Sequence, residues 1–470
     1  MPPRYSTIAV IGTGPAGISA LKALHDEKAF KTIRAFERRD GPGGTWNYDP
    51  VGQRFPGTYS SPDILAQMPS TFPETTTPAV PVDNTIPTAM YSWLDTNVPA
   101  ELMAFTHKPL PDVNSPISTE RYGAGNPTRP YHAVARYLLD LVEKYCEGVT
   151  FNTTVISVQK TDAGKWILTL RQSNIDGDAT SDSWWQEEFD AVIVSTGQYN
   201  VPFIPKIQGL NEVVHHEALE HVNAFRSPDQ YAGKKVMVVG GSFSAGDAVG
   251  DIYRLVQGPL YVSQSSHVPY IKEIWHLPQV ELKPTIINIK SQGFSRLQVG
   301  FSDGSVLEDV DKIIFATGYR LSFPFLSDPV LVADRLPGVY QHVFTIGDPS
   351  MAIIGLVRAP LLFRMMEYEA VAVARYYAGR GELPSTADQE RWESEQLELK
   401  GDDYRFHDVT SEMKEHMEFL RDLAGPPAAE TEGYELPQVA DEWLEKCFSL
   451  LEIKDQYWGR VRQREEAKAC

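Results

Sequence analysis

The chain opens on an unbroken apolar run, Ile8-Ala9-Val10-Ile11, that passes through glycines into a helically spaced segment from Gly17 to about Lys28. A second strand-like run follows at Thr32–Glu37. Continuous apolar strands, as opposed to alternating ones, are buried on both faces, as in a parallel sheet covered by helices. Residues 49–129 then lose periodicity and are rich in Pro, Ser, Thr and Asn. In a compact chain so long an irregular stretch is expected to cover a site and not to link domains. Order returns with a helix predicted over about Tyr131–Tyr145 and strands over Val149–Lys160 and Lys165–Arg171. The polar, Gly- and Asp-containing stretch Asn174–Ser183 reads as an exposed hairpin tip. Strand Ala191–Ser195 leads into Pro202 and Pro205, a hinge, and Phe323–Phe325 mark a proline-flanked return. The alternation predicts an α/β fold of two domains, the smaller inserted in the larger, and the glycine turns at Gly12–Gly17 and Gly240–Gly246 make both of them dinucleotide-binding and Rossmann-like. Residues 1–205 and 325–470 form the larger, including an acidic helical region over 380–470 with no identifiable chemistry, and 206–324 form the smaller.

The glycines between strand and helix give this pattern its chemistry. After Ile11 comes Gly12-Thr13-Gly14-Pro15-Ala16-Gly17, a G-x-G-x-x-G turn. Gly12 permits the tight turn, Gly14 lets backbone approach a pyrophosphate, and Gly17 lets the helix pack close, with its N-terminus favouring negative charge. Glu37 lies 20 residues beyond Gly17, where an acid meets a ribose hydroxyl. Gly44-Thr45-Trp46, preceded by Gly43, is either a second close approach of backbone to a long cofactor or an ordinary turn.

The second turn, Val239-Gly240-Gly241-Ser242-Phe243-Ser244-Ala245-Gly246, is degenerate: Ser242 and Ala245 replace the second and third glycines. After the next strand the chain reads Ser263-Gln264-Ser265-Ser266, with neither an acid for a ribose diol nor an arginine for a 2′-phosphate. Hydroxyls and Lys272 remain to recognise a phosphate, which favours NADPH over NADH mildly.

The 470 residues carry a formal net charge of −19, which disfavours nucleic acid and anionic membranes as partners. No apolar run reaches the roughly 18–20 residues of a membrane span, and the short N-terminus leaves no room for a signal peptide. A cytosolic (cytoplasmic) protein is expected. Assembly as a homodimer is left open, and the partner class these properties leave is a small-molecule substrate; the order of the motifs is what would add O2. The three cysteines, Cys146, Cys447 and Cys470, are far apart, so no disulfide framework or redox pair is expected, and no cluster has metal-ligand spacing.

The order of these motifs, closed by Ala316-Thr317-Gly318-Tyr319, resembles the class B flavin-dependent monooxygenases, and most the flavin-containing monooxygenase family in a soluble, fungal-type form. Ser195-Thr196-Gly197 is the matching first crossing between domains. The resemblance spans about residues 5–380 and implies FAD at the first turn and NADPH at the second. It implies cofactor contacts from Gly12, Gly14, Pro15, Ala16, Gly17, Glu37, Arg38, Gly44, Thr45, Trp46, Val155, Thr196 and Gly197. On the second side it implies Gly240, Ser242, Phe243, Ser244, Ala245, Ser263, Thr317 and Gly318, with Asp348 of Thr345-Ile346-Gly347-Asp348 meeting the ribityl chain. Asn97, in Met90–Pro99, matches the asparagine that lies at the reactive edge of the flavin. The signature before the second site is half lost: His215 and Glu217 stand where Phe and Gly are usual. His221, Phe225 and Arg226 remain, and His221 stays open between a functional and a surface histidine. Glu369 replaces the glutamine usual in the last flavin-side helix, Pro360 to Arg375.

The chemistry so implied is hydride transfer from NADPH to FAD, reaction with O2 to a C4a-hydroperoxyflavin, and oxygenation of a soft nitrogen or sulfur nucleophile. Asn97 and retained NADP⁺ would shield the oxygenated flavin. The alternatives are a Baeyer–Villiger monooxygenase acting on a ketone and a non-catalytic flavin-binding sensor or scaffold. Of the aromatics in the irregular stretch, Tyr59, Tyr91, Trp93 and Phe105, at least half are expected in the core.

Overall fold

The computed structural model describes residues 2–52, 55, 68–78, 87–175, 178–213, 216–265, 268–293, 295–326, 331–450 and 452–469; Tyr59, His215 and Ser266 lie outside them. Strand β1 (Thr7–Ile11) pairs in parallel with β2 (Thr32–Phe36) on one side and with Ala191–Val194 on the other. Around this centre the first sheet runs 339–340, 344–345, 351–353, 191–194, β1, β2, 149–150. Ile8, Ala9 and Val10 are fully buried, which is why the opening run has no polar positions. Helix α1 (Pro15–Glu27) carries Pro15 in its first turn, where proline's missing N–H has no helical acceptor to lose. Its apolar face packs on helix Leu362–Tyr377, with Leu21 and Leu24 against a core that includes Met365 and Val373.

The second sheet is wholly parallel, in the order 219–221, 312–315, 236–239, 260–263, 280–283. Two short crossings tie the sheets: Val201–Pro202 pairs antiparallel with Tyr319–Arg320. The chain thus leaves the first sheet after Val194, builds the second, and returns after Arg320.

The stretch Asn174–Ser183 belongs, as expected, to a hairpin, formed by two long antiparallel strands, Trp166–Ile175 and Asp178–Phe189, but one of its polar residues is not exposed. Asp182 is fully buried, 3.7 Å from the equally buried Arg171 guanidinium; an internal ion-pair partner lets a polar residue enter the sheet. The C-terminal region also does not stay with the first sheet. Helix Met413–Ala424 buries Met417 and Leu420 in the first core, but the last helix, Ile453–Ala469, sends Trp458 and Val461 into the core of the second. A Cβ on Gly250, in the second nucleotide helix (Phe243–Ile252), would stand 2.2 Å from the Trp458 ring, so only glycine lets that ring seat.

Candidate active site

The first glycine turn is built by backbone approaching backbone. Gly12 has φ +95°, and a Cβ there would lie 2.8 Å from the Ser195 carbonyl. A Cβ on Gly17 would lie 1.9 Å from the Gly12 carbonyl, so the first turn of the helix admits only glycine at this position. Gly44, at φ +57°, brings its backbone onto Gly14, where a Cβ would fall 2.9 Å from the Gly14 Cα. Gly44-Thr45-Trp46 thus folds onto the first turn and shares its cavity wall. Glu37 is buried and aimed by three donors, Thr13 N at 2.8 Å, Thr13 Oγ1 at 2.9 Å and Arg39 N at 3.0 Å. Arg38 donates to Asn200 Oδ1 at 3.3 Å.

The second turn is tight in the same way. Gly240 has φ +139°, and a Cβ there would stand 2.3 Å from the Ala316 carbonyl. Ser242 caps the following helix with no side-chain hydrogen bond to its backbone, which leaves the first-turn N–H groups to a ligand.

A cavity of about 1480 Å³ runs between the two turns, larger than the roughly 300–1,000 Å³ of a site for one drug-sized ligand. Of the residues named from sequence it is lined by Gly12, Gly14, Pro15, Ala16, Glu37, Arg38, Gly44, Thr45, Trp46, Asn97, Val155, Thr196, Gly197, Ser242, Ser244 and Gly318. Gly17, Gly240, Phe243, Ala245, Ser263, Thr317 and Asp348 lie outside its wall. Gly17 and Gly240 shape the turns from behind, and Ala245 is fully buried. Ser263 donates to the Pro284 carbonyl at 2.7 Å, and Thr317 donates to that of Phe203. Asp348 pairs with Lys160 and accepts from Ser350 Oγ at 2.6 Å. Lys272 is exposed, outside the wall.

The residues present fit a long dinucleotide at the first turn. Glycine backbone forms the wall where side chains would fill it, an oriented carboxylate stands at the end of β2, and the buried Thr196 Oγ1 on that wall has no hydrogen-bond partner among the described residues. A polar atom so placed calls for a ligand or water.

His221 is neither exposed nor in the cavity wall. It is 1% exposed, accepts from Asn223 N at 3.3 Å through Nδ1, and its Nε2 lies 3.1 Å from the Gly318 carbonyl. Burial pushes its pKa down to about 4. The neutral ring with the proton on Nε2 is thus a pin across the domain hinge. Arg226 donates to the carbonyls of Asp49 (2.7 Å), Thr88 (2.6 Å), Asn223 and Phe225, clamping the start and the middle of the irregular stretch against the second unit. Tyr91 is buried in the second core and also reaches the cavity wall, Phe105 is buried in the first core, and Trp93 is partly buried against the second. Glu369 is fully buried and accepts from Gly355 N at 2.7 Å, holding a backbone that lines the cavity.

The largest surprise comes from the region in which no chemistry was found. Lys454 donates to Asn97 Oδ1 at 2.5 Å and to both oxygens of Asp247 at 2.9 and 3.1 Å. Asp247 also accepts from Tyr91 at 2.7 Å. One turn on, Asp251 accepts from Trp93 Nε1 and Arg121, both at 2.7 Å. Acids four residues apart just after the second fingerprint share a helix face, and that spacing was visible in the sequence. Nothing comparable marked Lys454.

Two family models match: pyridine nucleotide-disulphide oxidoreductase over residues 104–342, about half of the chain, and flavin-binding monooxygenase-like over 273–429. Cys146 and Cys447 are both free thiols, so no disulfide pairs them. Flavin-containing monooxygenase FMO GS-OX-like 7 of Arabidopsis thaliana is 31% identical over 401 residues, covering 83% of this chain and 77% of its own. Trimethylamine monooxygenase of Methylocella silvestris is 26% identical, covering 97% and 92%. Among solved structures, S-allyl-L-cysteine S-oxygenase from Allium sativum superposes with a TM-score of 0.71 at 22% identity, covering 99% of this chain and all of the other. No helix among the described residues is long and apolar enough to cross a membrane. On these relatives and this fold, the chain belongs to the flavin-containing monooxygenase family, oxidoreductases that work with FAD and NADPH.

Proposed function

We propose that this protein transfers one oxygen atom of O2 to a nitrogen or sulfur atom of a small molecule, with NADPH as reductant and the second oxygen leaving as water. The observation that carries this reading is the cavity that joins both glycine turns, with Asn97 on its wall. The sulfur oxygenase and the trimethylamine monooxygenase among its relatives support a soft heteroatom as target. Residues 1–205 with the chain returning from 325 are assigned to FAD, and 206–324 to NADPH. Glu37, Gly14 and Thr196 would hold FAD; Ser242, Ser244 and the helix start at Phe243 would meet the phosphates of NADPH. The bound flavin supplies hydride acceptance and oxygen activation. The protein's part is to orient both cofactors and keep water from the site, with the Asn97 amide offering a hydrogen bond without transferring a proton.

The test is a panel of thioethers, amines and ketones incubated with NADPH under isotopically labelled oxygen gas, read by mass spectrometry. Labelled S-oxides or N-oxides are expected. Labelled esters from the ketones alone would identify a Baeyer–Villiger enzyme instead, and failure of NADPH to bleach bound flavin would make the chain a non-catalytic flavin binder.

A further inference from the structure

A lysine ammonium has donors only, whereas an asparagine amide has an acceptor oxygen at one end and donor N–H groups at the other. The end that faces a lysine is therefore fixed by chemistry and does not rest on how an amide is drawn. Lys454 Nζ stands 2.5 Å from Asn97 Oδ1. With the oxygen so engaged, Nδ2 is left for the cavity that Asn97 lines, and none of the described residues accepts from it. Lys454 itself is anchored: its side chain is 9% exposed and lies between both oxygens of Asp247. Tyr91, held protonated by burial, donates to the same carboxylate. Burial opposes the lysine's charge, but Asp247, with Tyr122 and Asp95 nearby, together more than offset this and keep its pKa above the ordinary lysine value.

We propose that Lys454 is a positioning residue for the oxygenation site: it locks the Asn97 amide with its N–H groups turned toward the bound cofactors. The proposal rests on the assignment of Asn97 to the site given above. It joins three segments distant in the chain: Asn97 in the irregular cover, Asp247 on the second nucleotide helix, and Lys454 on the last helix. The amide therefore takes its working orientation only when the C-terminal helix is docked on the NADPH-binding unit. The C-terminal region thus becomes part of the active-site assembly, reached through Trp458 seated on Gly250.

The test uses the FAD-loaded protein and two readouts: the dissociation constant of NADP⁺, followed by the perturbation of the oxidised flavin spectrum, and the hydrogen peroxide released per NADPH consumed without substrate. Asn97→Ala and Lys454→Met are each expected to weaken NADP⁺ about tenfold and to raise peroxide release, and the double variant to be no worse than either. Lys454→Gln, which keeps a donor but not the charge, is expected to recover most of the effect. Both lysine variants strip Asp247 of its cation equally, so a merely structural role moves them alike. Asn97→Asp keeps the contact to Lys454 but has no donor for the cavity, and is expected to match Asn97→Ala whether or not the lysine variants fold. Additive losses in the double variant, equal losses in Lys454→Met and Lys454→Gln, or wild-type behaviour of Asn97→Asp would each overturn the proposal. If Asn97→Ala changes neither readout, the assignment of Asn97 itself fails, and the positioning role with it. A loss in Asn97→Ala with none in Lys454→Met removes the positioning role alone.

Discussion

Gly14 and Gly17 belong to one fingerprint, yet they are predicted to fail in opposite ways. A Cβ on Gly17 would sit 1.9 Å from the Gly12 carbonyl oxygen, 2.8 Å from its carbon and 3.1 Å from Ser195 Oγ. The first two are backbone atoms of the turn, so no rotamer change relieves the clash. Ordinary carbon–oxygen contact needs more than 3 Å, so the turn must open by over an ångström where β1 meets α1. Overpacking of this kind costs typically about 1–3 kcal/mol, and more where backbone must move. A Cβ on Gly14 meets only the Gly44 Cα, at 3.6 Å, an ordinary contact, and the residue's φ of −70° suits any side chain. What that methyl does is project into the cavity wall where backbone should meet a pyrophosphate. Gly17→Ala should therefore lower the thermal midpoint of the flavin-free protein. Gly14→Ala should leave that midpoint unchanged but weaken FAD binding at least tenfold, which is about 1.4 kcal/mol. Melting curves with and without added FAD, beside a flavin titration, separate the two. If Gly14→Ala destabilises the flavin-free protein as much as Gly17→Ala does, or binds FAD like the parent, the assignment of this turn to FAD loses its physical basis.

Acidification should destabilise the fold through its buried histidines. His407 is pushed down to about 3 by burial, Arg335 and Arg358, His221 to about 4 by burial, and His342 well below its usual value by burial and its histidine neighbours. A group whose folded pKa is lowered by excluding charge is neutral in the fold while the unfolded chain takes up protons. Its stability is fully present above about pH 6.5 and lost as pH falls toward the folded values, by at most ~1.4 kcal/mol per pH unit per histidine. Asp95, Asp251 and Glu369, raised by burial, act in the opposite sense and keep the slope below that ceiling. Urea denaturation between pH 7.5 and about 5 measures it, and a flat profile would refute the histidine account. Trp93→Phe removes the indole N–H from the buried Asp251 carboxylate and should cost about 1–3 kcal/mol in the same assay. Gly250→Val collides with Trp458 and should undock the last helix. Peroxide leakage should then rise with little change in FAD content, which direct flavin absorbance and a peroxide assay would report.

Much of this molecule was legible because its two nucleotide turns announce themselves locally: a strand buried on both faces must be uniformly apolar, and a backbone–backbone approach must be glycine. Gly12, Gly17 and Gly240 are forced by contacts with residues close in sequence or at the next crossing strand, so the requirement appears in the chain as a short motif. Asp182 was misread because polarity was taken for exposure, and the Arg171 that permits its burial sits on the neighbouring strand, eleven positions back. His221 was half-readable: its motif is degenerate, and the partner that gives it a role, the Gly318 carbonyl, belongs to the other hinge crossing. Lys454 was not readable at all. Its helix shows no apolar stripe to flag a buried face, and its partners Asn97 and Asp247 lie hundreds of residues upstream on two other segments. The local signals thus mark the two turns to which the cofactors are assigned, whereas the group proposed to orient the amide between them is specified only by tertiary packing. Three separate segments must assemble before Lys454 meets Asn97 and Asp247, and no short stretch of chain carries that requirement. That places Lys454, and not a further fingerprint residue, where sequence motifs alone would be least able to find it.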